Sequence, residues 1–233
     1  MFVATHLAKR FGNTLAVDDV SLTLQQGEIV GFLGQNGAGK STTIRMLAGM
    51  LEPDQGQIAV DKNWQRHKGQ IGYLPEGAPL YEALSPRQNL SFLLEFAGWQ
   101  QTPVGQRINL LLEQLNLQTW ADRAVCTLSK GVRRRTALAM AMAMDAPILL
   151  LDEPFDGFDP VQKRAGRKLL QHISPQKTIL ICTHSLNEAE AICDRVMILD
   201  KGKLLADGTV PQLLRQTKQS GFEQAFCKLV ATK

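Results

Sequence analysis

The sequence predicts an α/β fold, with a parallel sheet flanked by helices and interrupted by a purely helical insert. Three observations carry this expectation. Ile148–Leu151 is wholly apolar, as a central parallel strand buried on both faces should be. Strand-like and helix-like stretches alternate around it, the mark of βαβ units. Residues 85–145, in contrast, carry only helical patterns.

Along the chain, Ser21-Leu22-Thr23-Leu24 alternates as a half-buried strand does, and Gly27 follows as a turn. Glu28–Leu33 reads as a buried strand, and Lys40–Met50 as a helix stopped ahead of Pro53. Asp54-Gln55-Gly56 reads as a turn before a short strand, Ile58–Val60. Ser85-Pro86-Arg87-Gln88 combines a capping box with proline at the first helical position. That helix should run to Ala97 and end at Gly98. A second starts near Pro103 and carries Leu110, Leu111 and Leu115. A third is capped by Ser129 and runs to about Met144; its Ala-Met-Ala-Met stretch is apolar all round and should be buried.

The α/β pattern then resumes. Lys163–His172 is a helix, Thr178–Cys182 a strand, Leu186–Cys193 a helix and Val196–Leu199 a strand. Ser220-Gly221-Phe222-Glu223 is a second capping box. Phe222, Ala225, Phe226, Leu229 and Val230 mark one face of the helix it opens, and packing on its own domain is preferred to docking on a partner. The expected division is one domain over residues 1–233, with its core at about 1–84 and 146–210, the insert at about 85–145 and a tail at 211–233. No internal repeat or low-complexity segment is evident.

Composition narrows the function. With 44% hydrophobic and 21% charged residues, the chain is not expected to be disordered. A net charge of +4 suits contact with anionic phosphates or an anionic membrane surface, and is too weak to indicate nucleic-acid binding by itself. The four cysteines, Cys126, Cys182, Cys193 and Cys227, include no C-x-x-C pair and no zinc-like arrangement. A reducing, cytoplasmic compartment is expected. No apolar run reaches the length of about 20 residues needed to span a bilayer, and no secretion signal is seen at Met1–His6. Work at a membrane would therefore require docking on another protein.

Two motifs carry chemistry. Gly34-Gln35-Asn36-Gly37-Ala38-Gly39-Lys40-Ser41 fits G-x-x-x-x-G-K-[ST] between a strand and a helix. The glycines let the backbone N–H groups of Gly34, Asn36, Gly37, Ala38 and Gly39 turn toward phosphate oxygens, and the helix N-terminus at Thr42 adds its dipole. Lys40 reaches the β- and γ-phosphates, and the Ser41 hydroxyl is a Mg²⁺ ligand. The second motif is Ile148-Leu149-Leu150-Leu151-Asp152-Glu153. An apolar strand that ends in acids beside a phosphate loop places Asp152 on Mg²⁺ and Glu153 where it can take a proton from attacking water. ATP and Mg²⁺ are the expected cofactors of this phosphate-loop NTPase.

With these motifs in place, the chain resembles the ATP-binding subunits of ABC transporters over about residues 2–210. Leu128-Ser129-Lys130-Gly131-Val132 resembles the signature motif, usually Leu-Ser-Gly-Gly-Gln, and Phe158-Asp159-Pro160 resembles the D-loop. Thr183-His184 resembles the switch histidine after its strand, and Phe11 sits where the family stacks an aromatic on adenine. Three departures stand out: Glu76 follows Tyr73-Leu74-Pro75 where many members have glutamine, Lys130 and Val132 replace glycine and glutamine, and Phe158 replaces leucine. An ionised Glu76 can bind Mg²⁺ or orient water but donates no hydrogen bond. Tyr-Leu-Pro-Glu with Leu-Ser-Lys-Gly looks like bacterial ABC-2 type subunits, which mostly serve exporters.

The resemblance implies an ABC-type ATP-binding domain with an N-terminal antiparallel β subdomain, a mixed α/β core and a helical insert. It implies a homodimer, or a pairing with a similar subunit. Each ATP then lies between the phosphate loop of one copy and Ser129, Gly131 and Asp159 of the other. Lys40, Glu76, Glu153 and His184 are the expected catalytic residues, and Ser41, Asp152 and Glu76 the expected metal ligands. His6, His67 and His172 are given no role. Arg133, Arg134 and Arg135 read as a solvated helix start or a contact with neighbouring chains, and no nucleic-acid partner is expected.

The functional expectation is a peripheral ATPase on the cytoplasmic face of the inner (cell) membrane. It would power a separate transmembrane permease, touching it through the insert and the segment from Glu76 to Phe96. A soluble mechanical ATPase acting on DNA or ribosomes is the alternative. It is disfavoured because the chain has neither a long coiled coil nor two ATP-binding halves. A phosphate-loop kinase or switch protein is opposed by the Leu-Ser-Lys-Gly motif and His184.

Overall fold

The computed structural model describes residues 2–60, 71–99 and 101–231; His67 lies outside them. Two sheets form its frame. Strands β1 (Phe2–Phe11), β2 (Thr14–Leu24) and β4 (Gln55–Val60) make an antiparallel sheet in the order β2-β1-β4. Strands β3 (Ile29–Leu33), β5 (Ile71–Leu74), β6 (Ile148–Asp152), β7 (Thr178–Thr183), β8 (Arg195–Asp200) and β9 (Lys203–Gly208) make the second, in the order β5-β6-β7-β3-β8-β9. It is parallel except at β9, which pairs antiparallel with β8. The expected antiparallel β subdomain and mixed α/β core are both present.

The helices follow the sequence closely. Helix α1 (Lys40–Leu47) ends three residues earlier than expected, and α2 (Pro86–Phe96) has the full capping box from Ser85 and Gln88. Helix α3 (Gln101–Gln114) and α4 (Lys130–Met142) complete the insert, and the Ser129 hydroxyl caps α4 by accepting from the Val132 N–H. Helix α5 (Pro160–Ile173), α6 (Leu186–Ile192) and α7 (Val210–Thr217) flank the sheet. Helix α8 (Phe222–Ala231) packs Phe222 with Leu213, Val196 and Ile198 in one buried cluster, with Phe226, Leu229 and Val230 against it, so it belongs to its own domain, as preferred.

Some local readings need correction. Gln55 and Gly56 lie within β4 instead of a turn. Gly56 is required because a Cβ there would sit 2.4 Å from the His6 carbonyl oxygen across the sheet. Helix α8 opens at Phe222, where the Gly221 carbonyl accepts from the Ala225 N–H; the Ser220 hydroxyl meets Gln224 at 3.4 Å. Strands β1, β5 and β9 and helix α7 are additions to the sequence reading.

Three apolar clusters lock these layers together. One joins the insert to the central sheet through residues such as Leu90, Leu111, Leu138 and Leu151. A second joins α1 and the antiparallel sheet to the opposite sheet face through Phe2, Phe32, Ile44 and Leu150. Each fully buried leucine or phenylalanine contributes about 1.5–3 kcal/mol relative to exposure. The carboxyl ends of β3, β6 and β7 are thereby held together from both faces.

Candidate active site

Parallel strands β3, β6 and β7 end on one side of their sheet, where open α/β folds bind ligands. Strand β3 runs into the loop 34–39 and then α1. Gly39 has φ +101°, and a Cβ there would lie 2.5 Å from the Ala16 carbonyl oxygen, so no side chain fits. The Ala38 carbonyl accepts from the Gly202 N–H at 3.0 Å, tying the loop to the β8–β9 turn. Lys40 is only 8% exposed, and its Nζ crosses the loop to donate to the carbonyls of Gly34 (2.7 Å) and Gln35 (3.0 Å).

Strand β6 delivers Asp152 to the same place, 2% exposed. Burial pushes its carboxyl above the ordinary range; the Ser41 hydroxyl, which bonds to it, and the Lys40 charge pull back, while Glu76 and Glu153 push the same way as burial. Among the described residues its Oδ2 is buried and has no hydrogen-bond partner.

Glu153 follows in the left-handed region at φ +50°, uncommon for a residue with a side chain. Its N–H donates to the Cys182 carbonyl at 2.8 Å. Its Oε1 accepts from the His184 N–H at 2.9 Å and lies 2.6 Å from His184 Nδ1. The Thr183 hydroxyl donates to Oε2 at 3.2 Å. The strand acid and the switch histidine, expected from separate motifs, therefore form one unit.

A cleft of about 490 Å³ brings together Asn36, Gly37, Gly39, Lys40, Ser41 and Thr42 with Glu76, Asp152, Glu153 and His184. Gly34 and Ala38 are buried in the floor of the loop. Besides Gly34 and Ala38, four expected site residues lie outside this lining. Phe11, at the end of β1, is 52% exposed. Ser129 and Asp159 cap α4 and α5, the Asp159 carboxylate accepting from the Gln162 N–H at 2.8 Å. Gly131 packs against the Gly157 backbone. His6 pairs instead with Asp19 on the antiparallel sheet at 2.7 Å.

The structure also corrects and adds. Ala16 and Asp156 line the cleft, and Asp156 is held below the ordinary carboxylate range by its hydrogen bond with Lys130. Two of the three arginines are not solvated. Arg134 and Arg135 are 3% and 8% exposed, and Arg133 pairs with Glu82. Arg135 donates to the carbonyls of Leu115 (3.0 Å) and Asn116 (2.8 Å). Arg134 donates to four carbonyls, those of Pro75, Glu76, Asp152 and Glu153. A readable signal existed: Arg134, Leu138 and Ala141 fall at i, i+4 and i+7, which puts the guanidinium on the same face as apolar residues of the helix's second half.

A phosphate loop, a buried aspartate and a glutamate–histidine pair at the ends of a parallel sheet define a phosphate-loop ATPase. Residues 17–156, more than half of the chain, match the family model described as ABC transporter, and the chain belongs to that family. It is 35% identical to the ABC transporter ATP-binding protein NatA of Bacillus subtilis, over 97% of this chain and 96% of that one. It is 36% identical to the lipopolysaccharide export system ATP-binding protein LptB of Escherichia coli, over 91% and 92%. A solved ATP-binding subunit of an ABC transporter superposes with TM-score 0.88 at 28% identity, covering 98% of this chain and 99% of that one. The dimeric cassette MJ0796 superposes with TM-score 0.81 at 25% identity, covering 90% and 98%.

Proposed function

We propose that this ATPase drives export through a separate permease, with Glu153 as general base and the second half of each ATP site supplied by another copy. The Glu153–His184 unit over the phosphate loop carries this reading. An ATP whose phosphates rest in the loop meets Lys40, which exchanges the Gly34 and Gln35 carbonyls for β- and γ-phosphate oxygens. Glu153 takes the proton of the attacking water, and His184 fixes which way that carboxylate faces. Phe11, exposed at its strand end, is positioned for a base to stack on it.

The residues present fit Mg²⁺. A buried carboxylate oxygen without a donor, beside a serine hydroxyl, is a donor set that a hard cation satisfies. Among the described residues no three acidic, histidine or cysteine side chains gather into a cage, which agrees with an ion held partly by phosphate and water. Ser41 and Asp152 would hold it, with Glu76 lining the same cleft; a bound ion would supply positive charge against the β- and γ-phosphates.

Ser129, Gly131 and Asp159 complete the site of a second copy. In support, Ser129 and Asp159 cap the N-termini of α4 and α5, and Gly131 lies in the first turn of α4. The permease docks on the insert and the segment from Glu76 to Phe96. There Tyr81, Phe92 and Phe96 form an exposed aromatic group, with ring centroids 5.0 and 6.2 Å apart in succession. Glu82 and Arg87 in that segment are engaged within the chain, with Arg133 and with Asp122 and Asn109. Among the described residues no helix is long and apolar enough to cross a membrane, so attachment at the cytoplasmic face of the cell membrane rests on this docking.

The test is a mild-detergent pull-down from native membranes. Co-purification of a protein with several apolar helices is expected, with ATP turnover in the complex. Recovery with ribosomes or DNA alone would overturn the transport reading and leave the ATPase chemistry.

A further inference from the structure

The N-terminal part of α4 contacts the loops that carry Glu76 and Glu153 of its own chain in three ways. Arg134 Nη1 donates to the carbonyls of Pro75 (2.9 Å) and Glu76 (2.7 Å), Nε donates to the carbonyl of Glu153 (3.0 Å), and Nη2 donates to that of Asp152. Lys130 Nζ reaches the Asp156 carboxylate at 2.8 Å. A Cβ on Gly131 would lie 2.7 Å from the Gly157 carbonyl, so the two backbones touch with no side chain between them.

Arg134 is the decisive contact. It is 3% exposed, and its fork is directed at backbone oxygens, two on the loop after β5 and two at the end of β6. These loops carry Glu76 and Glu153. The Glu153 carbonyl belongs to a residue at φ +50°, a conformation that persists only when its surroundings over-determine it. The planar guanidinium bridges both loops in a way that a compact ammonium cannot. A shift of α4 along its axis therefore cannot occur without moving both carboxylate-bearing loops.

We propose that Arg134 is a positioning residue that couples the two ATP sites of the working dimer. On the two-copy reading above, Ser129 at the start of α4 senses the γ-phosphate held by the other copy. Arg134, about one and a half turns along the same helix, passes that helix position to Glu76 and Glu153 of its own copy. ATP at one site thus sets the geometry of hydrolysis at the other.

The test compares the full-length chain with Arg134→Lys and Arg134→Gln. ATP binding stoichiometry, kcat per binding-competent site, KM and the Hill coefficient for ATP are measured. A parallel measurement follows ATP-driven dimerisation of the Glu153→Gln chain by size-exclusion chromatography. The expected result is a kcat lower by about 10²-fold, the scale of an ångström-sized misplacement. KM should stay within about threefold, which is under 1 kcal/mol in binding, and the Hill coefficient should fall toward 1. A wild-type kcat and Hill coefficient in both variants would overturn the proposal. So would a loss of activity that only tracks the binding-competent fraction with the Hill coefficient unchanged, since that is a structural role alone. A Glu153→Gln chain that stays monomeric with ATP would sink the two-copy reading and the coupling together; a dimer whose Arg134 variants keep full cooperativity would sink the coupling alone.

Discussion

The phosphate loop and the turn at Glu153 face each other across one cleft, and each needs backbone in the left-handed region. The loop meets that need with glycine: Gly37 at φ +80° and Gly39 at φ +101°. The turn meets it with a glutamate at φ +50°. Glycine adopts such angles at no steric cost, whereas a residue with a Cβ gives up roughly 1–2 kcal/mol. On the proposed chemistry, the loop works through its backbone N–H groups, so those positions can dispense with side chains. The turn would work through a carboxylate, so the side chain must stay and neighbours must hold the backbone in place. The Cys182 carbonyl, the His184 and Thr183 donors and the Arg134 guanidinium do so. A backbone-binding loop can thus be locally encoded, while a side-chain base in a strained turn depends on distant residues.

The sharpest way to separate the two regions is to remove chemistry from one and leave binding in the other. Glu153→Gln keeps the shape and removes the proton acceptor. ATP turnover should fall by about 10²–10⁴-fold while nucleotide binding, followed by isothermal calorimetry, is retained. Turnover at the normal rate would show that the base lies elsewhere.

Gly39→Ala attacks the other side. The added methyl is strained at φ +101° and meets the Ala16 oxygen. A loss of about 2–4 kcal/mol in urea unfolding is expected, from the left-handed penalty plus overpacking. ATP binding should weaken with it. An unperturbed Gly39→Ala chain would mean that the loop's glycine is not required by its geometry.

Asp152 lies between the two regions, and its charge tests their electrostatics. Burial raises its carboxyl above 3.8, so the folded chain holds this proton more tightly than the unfolded chain. Native protein then binds more protons in the window above 3.8, and stability falls as pH rises through the raised value. Asp152→Asn removes that dependence. In metal-free buffer at neutral pH the variant should gain stability, because a neutral amide replaces a buried charge, while Mg²⁺ ceases to stabilise the ATP-bound form. Equal melting temperatures of the two chains across pH 4–8, as assayed by calorimetry, would refute the buried-charge account.

The smallest effect compares two side-chain-free replacements at one position. Glu153→Gly and Glu153→Ala both lose the carboxylate, so their difference reports the backbone. Glycine should be the more stable by about 1 kcal/mol. The opposite order would remove the strain from the comparison drawn above.

Much of the site could be read from the sequence because its signals are local. The phosphate loop is one continuous octapeptide whose glycine spacing specifies its own turn. Asp152 and Glu153 end a wholly apolar strand, and His184 ends another, so parallel pairing alone brings them near one another. The caps of α2 and α4 were equally legible, since Ser85 and Ser129 bond within three residues of themselves. Strand β1 escaped because bulges around His6, at φ +54°, break its alternation. Strand β9 is short and lies at a sheet edge, and its pairing with β8 is interrupted by a register shift between Ile198 and Leu199. Helix α7 does carry a local signal, the Thr209–Gln212 capping box.

By itself, then, the sequence determined the α/β architecture, the nucleotide chemistry and the family, since each is carried by short-range pattern: periodicity, caps and contiguous motifs. Only the tertiary structure decided the place of the arginines. A run of Arg133, Arg134 and Arg135 carries the same local charge whether it faces water or a carbonyl. What distinguishes the cases is which backbone oxygens lie opposite, and those of Pro75, Glu76, Asp152 and Glu153 come from segments 58 to 59 and 18 to 19 residues away. The same holds for the strain at Glu153, which persists because residues from β7, the loop after it and α4 close around that turn. Long-range contacts of this kind leave no periodicity in the chain, and packing alone reveals them.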